Sequence, residues 1–153
     1  MDNSRLLTLF AKKTWRREAG SALIEFGLAF PVLMLALVGT ADFGRIFYTY
    51  ITVANAAHTG AEYGAASAPK TNDTAGINQA ALNDATDLTG VTITSTPFCQ
   101  CSNGSPVNCA TSSCSPLRYY VSVTAAKTFQ TLIPYPGIPS SSNVTAVAVI
   151  RAQ

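Results

Sequence analysis

The sequence predicts an α+β protein. A long N-terminal helix, apolar in its first half and amphipathic in its second, leads into a small domain with a short helix and a roughly three-stranded antiparallel sheet, stapled by disulfides. Three observations predict it. A charge-free apolar run occupies Phe26 to Ala41. Apolar residues then recur at helical spacing, from Phe43 through Ala61. Beyond residue 66, two alternating segments and a final strand-like one are separated by Gly-, Pro- and Ser-rich stretches, one of which carries four cysteines. The 153 residues suffice for one domain of ordinary size. Only 12% of them are charged, against about 25% in typical soluble domains, and 48% are hydrophobic.

Charge is unevenly placed. Residues 1–20 hold Arg5, Lys12, Lys13, Arg16 and Arg17 against Asp2 and Glu18, a net of +3. Residues 21–153 hold five basic and six acidic residues, a net of −1. By the positive-inside rule, residues 1–20 stay in the cytoplasm and everything after the apolar run faces outward. Membrane lipid is therefore an expected partner. The total of +2, with no basic stripe interleaved with aromatics, argues against nucleic acid. A single histidine, His58, and the lack of a nucleophile motif argue against an enzyme, a metal site or a cofactor.

The elements follow in order. Residues 1–20 read as a basic leader and residues 21–41 as the membrane-spanning half of the helix. Including Ser21 to Glu25 brings the apolar segment to 21 residues, close to the roughly 20 needed to cross hydrocarbon. Pro31 would break a soluble helix but is tolerated as a kink in a spanning one. Residues 42–66 form the amphipathic half, with Phe43, Ile46, Phe47, Tyr50, Ile51, Ala54, Ala57 and Ala61 on one side. One helix thus runs from about Ser21 to about Ala66, roughly 70 Å at about 1.5 Å per residue. Within it, Asp42 and Arg45 stand three apart and can pair with each other. Gly60 and Gly64 permit either a close helix–helix approach or packing against the domain.

Residues 67–153 form the extracytoplasmic domain. Gly64 to Gly76 reads as a loop. Ile77 to Leu88 reads as a short helix, with Ile77, Ala80, Ala81, Ala85 and Leu88 on one side and Gly90 at its end. Strands are expected at Val91–Thr96, Arg118–Phe129 and Asn143–Arg151, the last preceded by a loop holding Pro134, Pro136 and Pro139. Cys99, Cys101, Cys109 and Cys114 lie between the first two strands. An even count in a small domain outside the cytoplasmic membrane favours two disulfides. Three pairings exist; Cys99–Cys101 is disfavoured because it closes a strained ring across one residue. A four-thiolate zinc site is the competing reading, but intervals of one, seven and four residues lack paired two-residue knuckles.

Glu25 decides the functional reading. A carboxylate inside a spanning segment costs on the order of a few kcal/mol and by default marks function. Here it follows Gly20 by five positions, in Gly20-Ser21-Ala22-Leu23-Ile24-Glu25-Phe26, directly after the basic stretch. Cleavage after Gly20 would create an α-amino group at Ser21 near the lipid boundary, about one helical turn from Glu25, which can neutralise it.

This arrangement resembles a type IV prepilin, and Glu25-Phe26 resembles the pseudopilins of tight-adherence (Flp) systems. Asp42-Phe43-Gly44-Arg45, the alanine-rich continuation to Ala61 and the closing Thr145–Arg151 segment are similar to the TadE-like family. The resemblance is strongest over residues 18–66. It implies a minor pseudopilin, a non-catalytic component in assembly of a tight-adherence pilus. Such a protein sits in the inner membrane as a single-pass protein and is trimmed between Gly20 and Ser21. The implied partners are a prepilin peptidase, a sister pseudopilin, the major Flp pilin and the inner-membrane secretion platform. It further implies that Glu25, beside Phe26, neutralises the N-terminal amine of a neighbouring subunit, and that Asp42 and Arg45 guide helix–helix association. Three alternatives compete with it. One is a secretory signal peptide cut after Gly39-Thr40-Ala41, one an uncleaved anchor, and one a membrane-anchored binding module unrelated to pili.

Overall fold

A computed structural model describes the backbone of residues 3–152 and the side chains of residues 20–152. The chain forms helix α1 (Asn3–Ala65), a 3-10 turn (Ala68–Asn72) and helix α2 (Thr74–Asp84). Strands β1 (Thr92–Gln100), β2 (Pro106–Val107), β3 (Arg118–Gln130) and β4 (Ser141–Arg151) follow. It divides into two units, one ending at Ala41 and the other starting at Asp42.

In the first unit the described residues belong to α1 alone. From Gly20 onward α1 is long and apolar enough to cross a membrane. Leu23, Ile24, Leu28, Val32, Leu33 and Leu37 are all exposed. Pro31 lies inside the helix without ending it. Its missing N–H frees one carbonyl a turn earlier, which a spanning helix tolerates.

The second unit is built on a change in side-chain size along α1. After Asp42 the inward-facing positions become Val53, Ala57, Ala61 and Ala65, all buried. They meet Val121, Val123 and Ala125 of β3 and Ile77 of α2. Fully burying a Val or Ile contributes about 1.5–3 kcal/mol, so this cluster supplies much of the domain's cohesion. The two glycines at helical spacing serve it. A Cβ at Gly60 would stand 3.0 Å from the Ala81 Cβ, and one at Gly64 would stand 2.8 Å from the Ile77 Cδ1 and 3.1 Å from the Val121 Cγ1. Gly60 and Gly64 therefore admit α2 and β3 of the same domain.

The sheet has four antiparallel strands in the order β2-β1-β3-β4, one more than expected. The extra strand is two residues long, pairing Val107 with Cys99 and Pro106 with Gln100, too short to show alternation in a sequence. β1 also runs four residues beyond Thr96, through Pro97. Ala152 donates its N–H to the Tyr119 carbonyl, so the backbone N–H and C=O groups at odd positions of β3 point to β4 and those at even positions to β1. Pro97 is paired with Val121 and so turns its nitrogen to the open edge, where no ladder bond is lost. Ile93 lies on the core face, whereas Thr94, Thr96, Ser122 and Thr124 lie on the other, beside the stacked rings of Phe98 and Tyr120.

Two boundaries move for local reasons. The stretch expected as a loop holds the 3-10 turn, with Pro69 at its start after Ala68 and tied by the Thr71 hydroxyl, which donates to the Ala68 carbonyl at 2.7 Å. α2 starts three residues before Ile77, because the Asp73 carboxylate accepts the Gly76 N–H at 2.9 Å and caps the helix. It ends at Asp84, where Ala85 and Leu88 close successive tight turns. The cysteines pair as Cys99–Cys109 and Cys101–Cys114. Loops of this size contribute somewhat under about 3 kcal/mol each through the unfolded state. Both bridges hold the end of the sheet that carries β2.

Gly64→Val is expected to destabilise the full chain in detergent by about 1–3 kcal/mol through overpacking against Ile77 and Val121. Gly44→Ala, where a Cβ meets nothing within 4 Å, is expected to stabilise it by up to ~1 kcal/mol through helix propensity. Chemical denaturation of both variants checks the pair, and equal effects would contradict the close approach at Gly64.

Candidate functional site

Three groups of residues were expected to carry function, and each occupies a different setting. The first is the head of the apolar segment. Gly20, Ser21, Glu25 and Phe26 are helical and exposed. A Cβ at Gly20 would meet nothing within 4 Å, so the backbone there is unobstructed on its side-chain side. The Ser21 hydroxyl donates to Glu25 Oε1 at 3.4 Å, a long bond across one turn. The Phe26 ring lies 5.6 Å from that of Phe30. The helix thus sets the Ser21 and Glu25 side chains on one face, four residues apart. The side chains of the basic leader, Arg5 to Arg17, lie outside the described residues.

The second group is Asp42 and Arg45, which the sequence relates only to each other. They are helical and do pair, Arg45 Nη1 lying 2.8 Å from Asp42 Oδ1. Asp42, however, is 6% exposed and holds more than one partner. The Leu132 N–H donates to both of its oxygens, at 2.9 and 3.2 Å, and the Tyr135 hydroxyl donates to Oδ2 at 3.1 Å. These donors belong to the segment joining β3 to β4, 90 and more residues away. The Arg45 guanidinium sits over the Phe129 ring at 5.3 Å, at the end of β3. Burial would raise the Asp42 pKa, but the Leu132 N–H, the Tyr135 hydroxyl and Arg45 outweigh it and hold the carboxyl below its ordinary 3.8. Burial and the bond to Asp42 push the Tyr135 hydroxyl up from its usual value. Asp42 therefore fastens the β3–β4 connection to the first turn of the second unit.

The third group is the cysteines. All four sulfurs are consumed in the two disulfides, which leaves no thiolate for a zinc ion. Among the described residues, no cluster of three or more His, Cys, Asp or Glu forms a metal site. His58 is exposed, its Nε2 3.2 Å from Glu62 Oε1 on the next turn.

One further knot was not expected. Asp73 caps α2 with one oxygen and accepts the Tyr63 hydroxyl on the other at 3.0 Å, while the Lys70 ammonium lies over the Tyr63 ring. The Gly76 N–H and the Tyr63 hydroxyl hold the Asp73 carboxyl below its ordinary value. A capping aspartate three residues before Gly76 is a readable signal; its tie to Tyr63 of α1 is not.

Residues 20–62 match the family model described as TadE-like protein. That stretch takes in Gly20, Glu25, Phe26, Asp42 and Arg45, and stops short of the sheet. No curated protein and no solved structure matches the chain.

The two depressed carboxyls make stability pH-dependent. Their contribution is fully present above the unfolded value near 3.8 and is lost as pH falls through the lower folded values. Thermal unfolding of the full chain between neutral and strongly acidic pH should therefore show a steep acid loss. Combining Asp42→Asn with Asp73→Asn should flatten it, and an unchanged slope would contradict the assignment.

Proposed function

We propose that the chain is a minor pseudopilin acting in assembly of a tight-adherence pilus. One observation carries the reading: the TadE-like match begins at Gly20 and spans the helix that bears Glu25 and the Asp42–Arg45 pair. A pilus-associated role follows from the match; the finer role rests on the chemistry of those residues.

In this reading the chain is inserted with residues 1–20 in the cytoplasm and its C-terminal domain outside the inner membrane. A prepilin peptidase cleaves after Gly20, which has no side chain of its own to obstruct approach. The new Ser21 ammonium is costly to hold at the lipid boundary. Glu25 offsets it, and accepting the amine of a neighbouring subunit sets the axial register between them. Arg45, half-exposed beside Phe129, takes part in helix–helix association. Asp42 holds it in place. The partners are the sister pseudopilin, the major Flp pilin and the inner-membrane platform, with no catalytic step performed by the chain itself.

Glu25→Leu separates this role from that of a plain anchor. The variant should enter the membrane at the wild-type level while surface piliation falls by about tenfold or more, equivalent to ~1.4 kcal/mol or more of lost subunit coupling. Normal piliation with normal insertion would favour a membrane-anchored binding module unrelated to pili.

A further inference from the structure

We propose that the segment joining β3 to β4, residues 131–140, is a second point of membrane contact that rests its apolar tip in the lipid interface. The segment lies inside a stretch with no charged residue between Lys127 and Arg151. Leu132 and Ile138 are 56% and 59% exposed, and Pro134, Pro136 and Pro139 are exposed with them. The tip is a tight turn in which the Ile138 N–H donates to the Tyr135 carbonyl at 3.2 Å, with Pro136 second and Gly137 third at φ +80°. Those are the residues a type II turn requires. A rigid turn with three prolines nearby loses little entropy on contact.

What places lipid there is the tether to Asp42. Leu132 and Tyr135 are both hydrogen-bonded to its carboxylate, and Asp42 directly follows the charge-free segment that ends at Ala41. The base of the loop is therefore fixed at the residue where the spanning segment meets the aqueous side. Phe43 and Phe47, on the same stretch of α1, are 71% and 58% exposed. They add exposed apolar surface, and Tyr135 is of the residue type enriched at membrane–water boundaries. The opposite end of the sheet has the contrary character. Residues 101–117, held by the disulfides, are mostly Ser, Asn, Thr and Gly, and β3 sets them about 40 Å away at ~3.3 Å per residue.

The inference rests on the membrane-spanning reading of residues 21–41 and is independent of any pilus role. Its test uses the full chain in vesicles of phosphatidylethanolamine and phosphatidylglycerol with brominated acyl chains. Trp15, the single tryptophan, is replaced by Phe, and one tryptophan is introduced at a time through Leu132→Trp, Ile138→Trp, Asn103→Trp or Leu37→Trp. Fluorescence at 37 should be quenched strongly and at 132 and 138 several-fold, with blue-shifted emission, while 103 stays unquenched. Quenching at 37 with 132 and 138 behaving like 103 would overturn the loop contact alone. Emission at 138 that shifts with protein concentration but not with bromolipid would assign the tip to a neighbouring subunit and overturn it too. No quenching at 37 would remove the membrane premise and the proposal together.

Discussion

The hydrogen bonds converging on the Asp42 carboxylate organise the second unit of the molecule, residues 42–152. A buried carboxylate needs partners, and it finds them in Arg45 one turn on and in Leu132 and Tyr135 far along the chain. The consequence is topological as much as energetic. β3 and β4 form a long hairpin, and the loop closing it would otherwise be free to splay from the helix. Fixing that loop at the first residue of the unit sets the end of the sheet from which β3 and β4 run along α1. Val121, Val123 and Ala125 of β3 then fall onto the small residues of the helix.

Those small residues are the second half of the same logic. Before Asp42 the helix presents large apolar side chains that remain exposed; after it, the buried positions are Val, Ala and Gly together with Thr49. Alanine and glycine let strands and α2 come close, but they bury little area per residue, so the core stays thin. The domain compensates at its edges. Two disulfides hold the end of the sheet bearing β2. The Asp73–Tyr63 knot fastens α2 to α1, and Tyr48 donates to Asp87 at 3.0 Å beyond the end of α2. Each polar contact joins segments that the apolar core alone would hold loosely.

The sequence carried the local features and missed the distant ones. Alternation revealed β3 to within a few residues because Val121, Val123 and Ala125 face the core against Ser122 and Thr124; β4, whose outer face carries the exposed Val147 and Val149, was legible instead as an apolar run after a proline-rich loop. The same signal failed for β2, which is too short to alternate, and for the end of β1, where Pro97 reads as a terminator unless its nitrogen is known to face an open edge. Asp42 and Arg45 were legible as a pair, since three-residue spacing on a helix is a local property. The contacts to Leu132 and Tyr135 were not, because no pattern links a carboxylate to a backbone N–H 90 residues later. Disulfide connectivity was open for the same reason: it depends on how the loop folds back over β1.

The functional account depends on what happens at Gly20. Glu25 has a distinctive task only if the chain is cut there, since that cut creates the amine it would neutralise. Intact mass and N-terminal sequence of the protein from native membranes test this directly. The account predicts a chain beginning at Ser21. A full-length chain, in cells whose prepilin peptidase is active, or a chain beginning near Asp42 would contradict it.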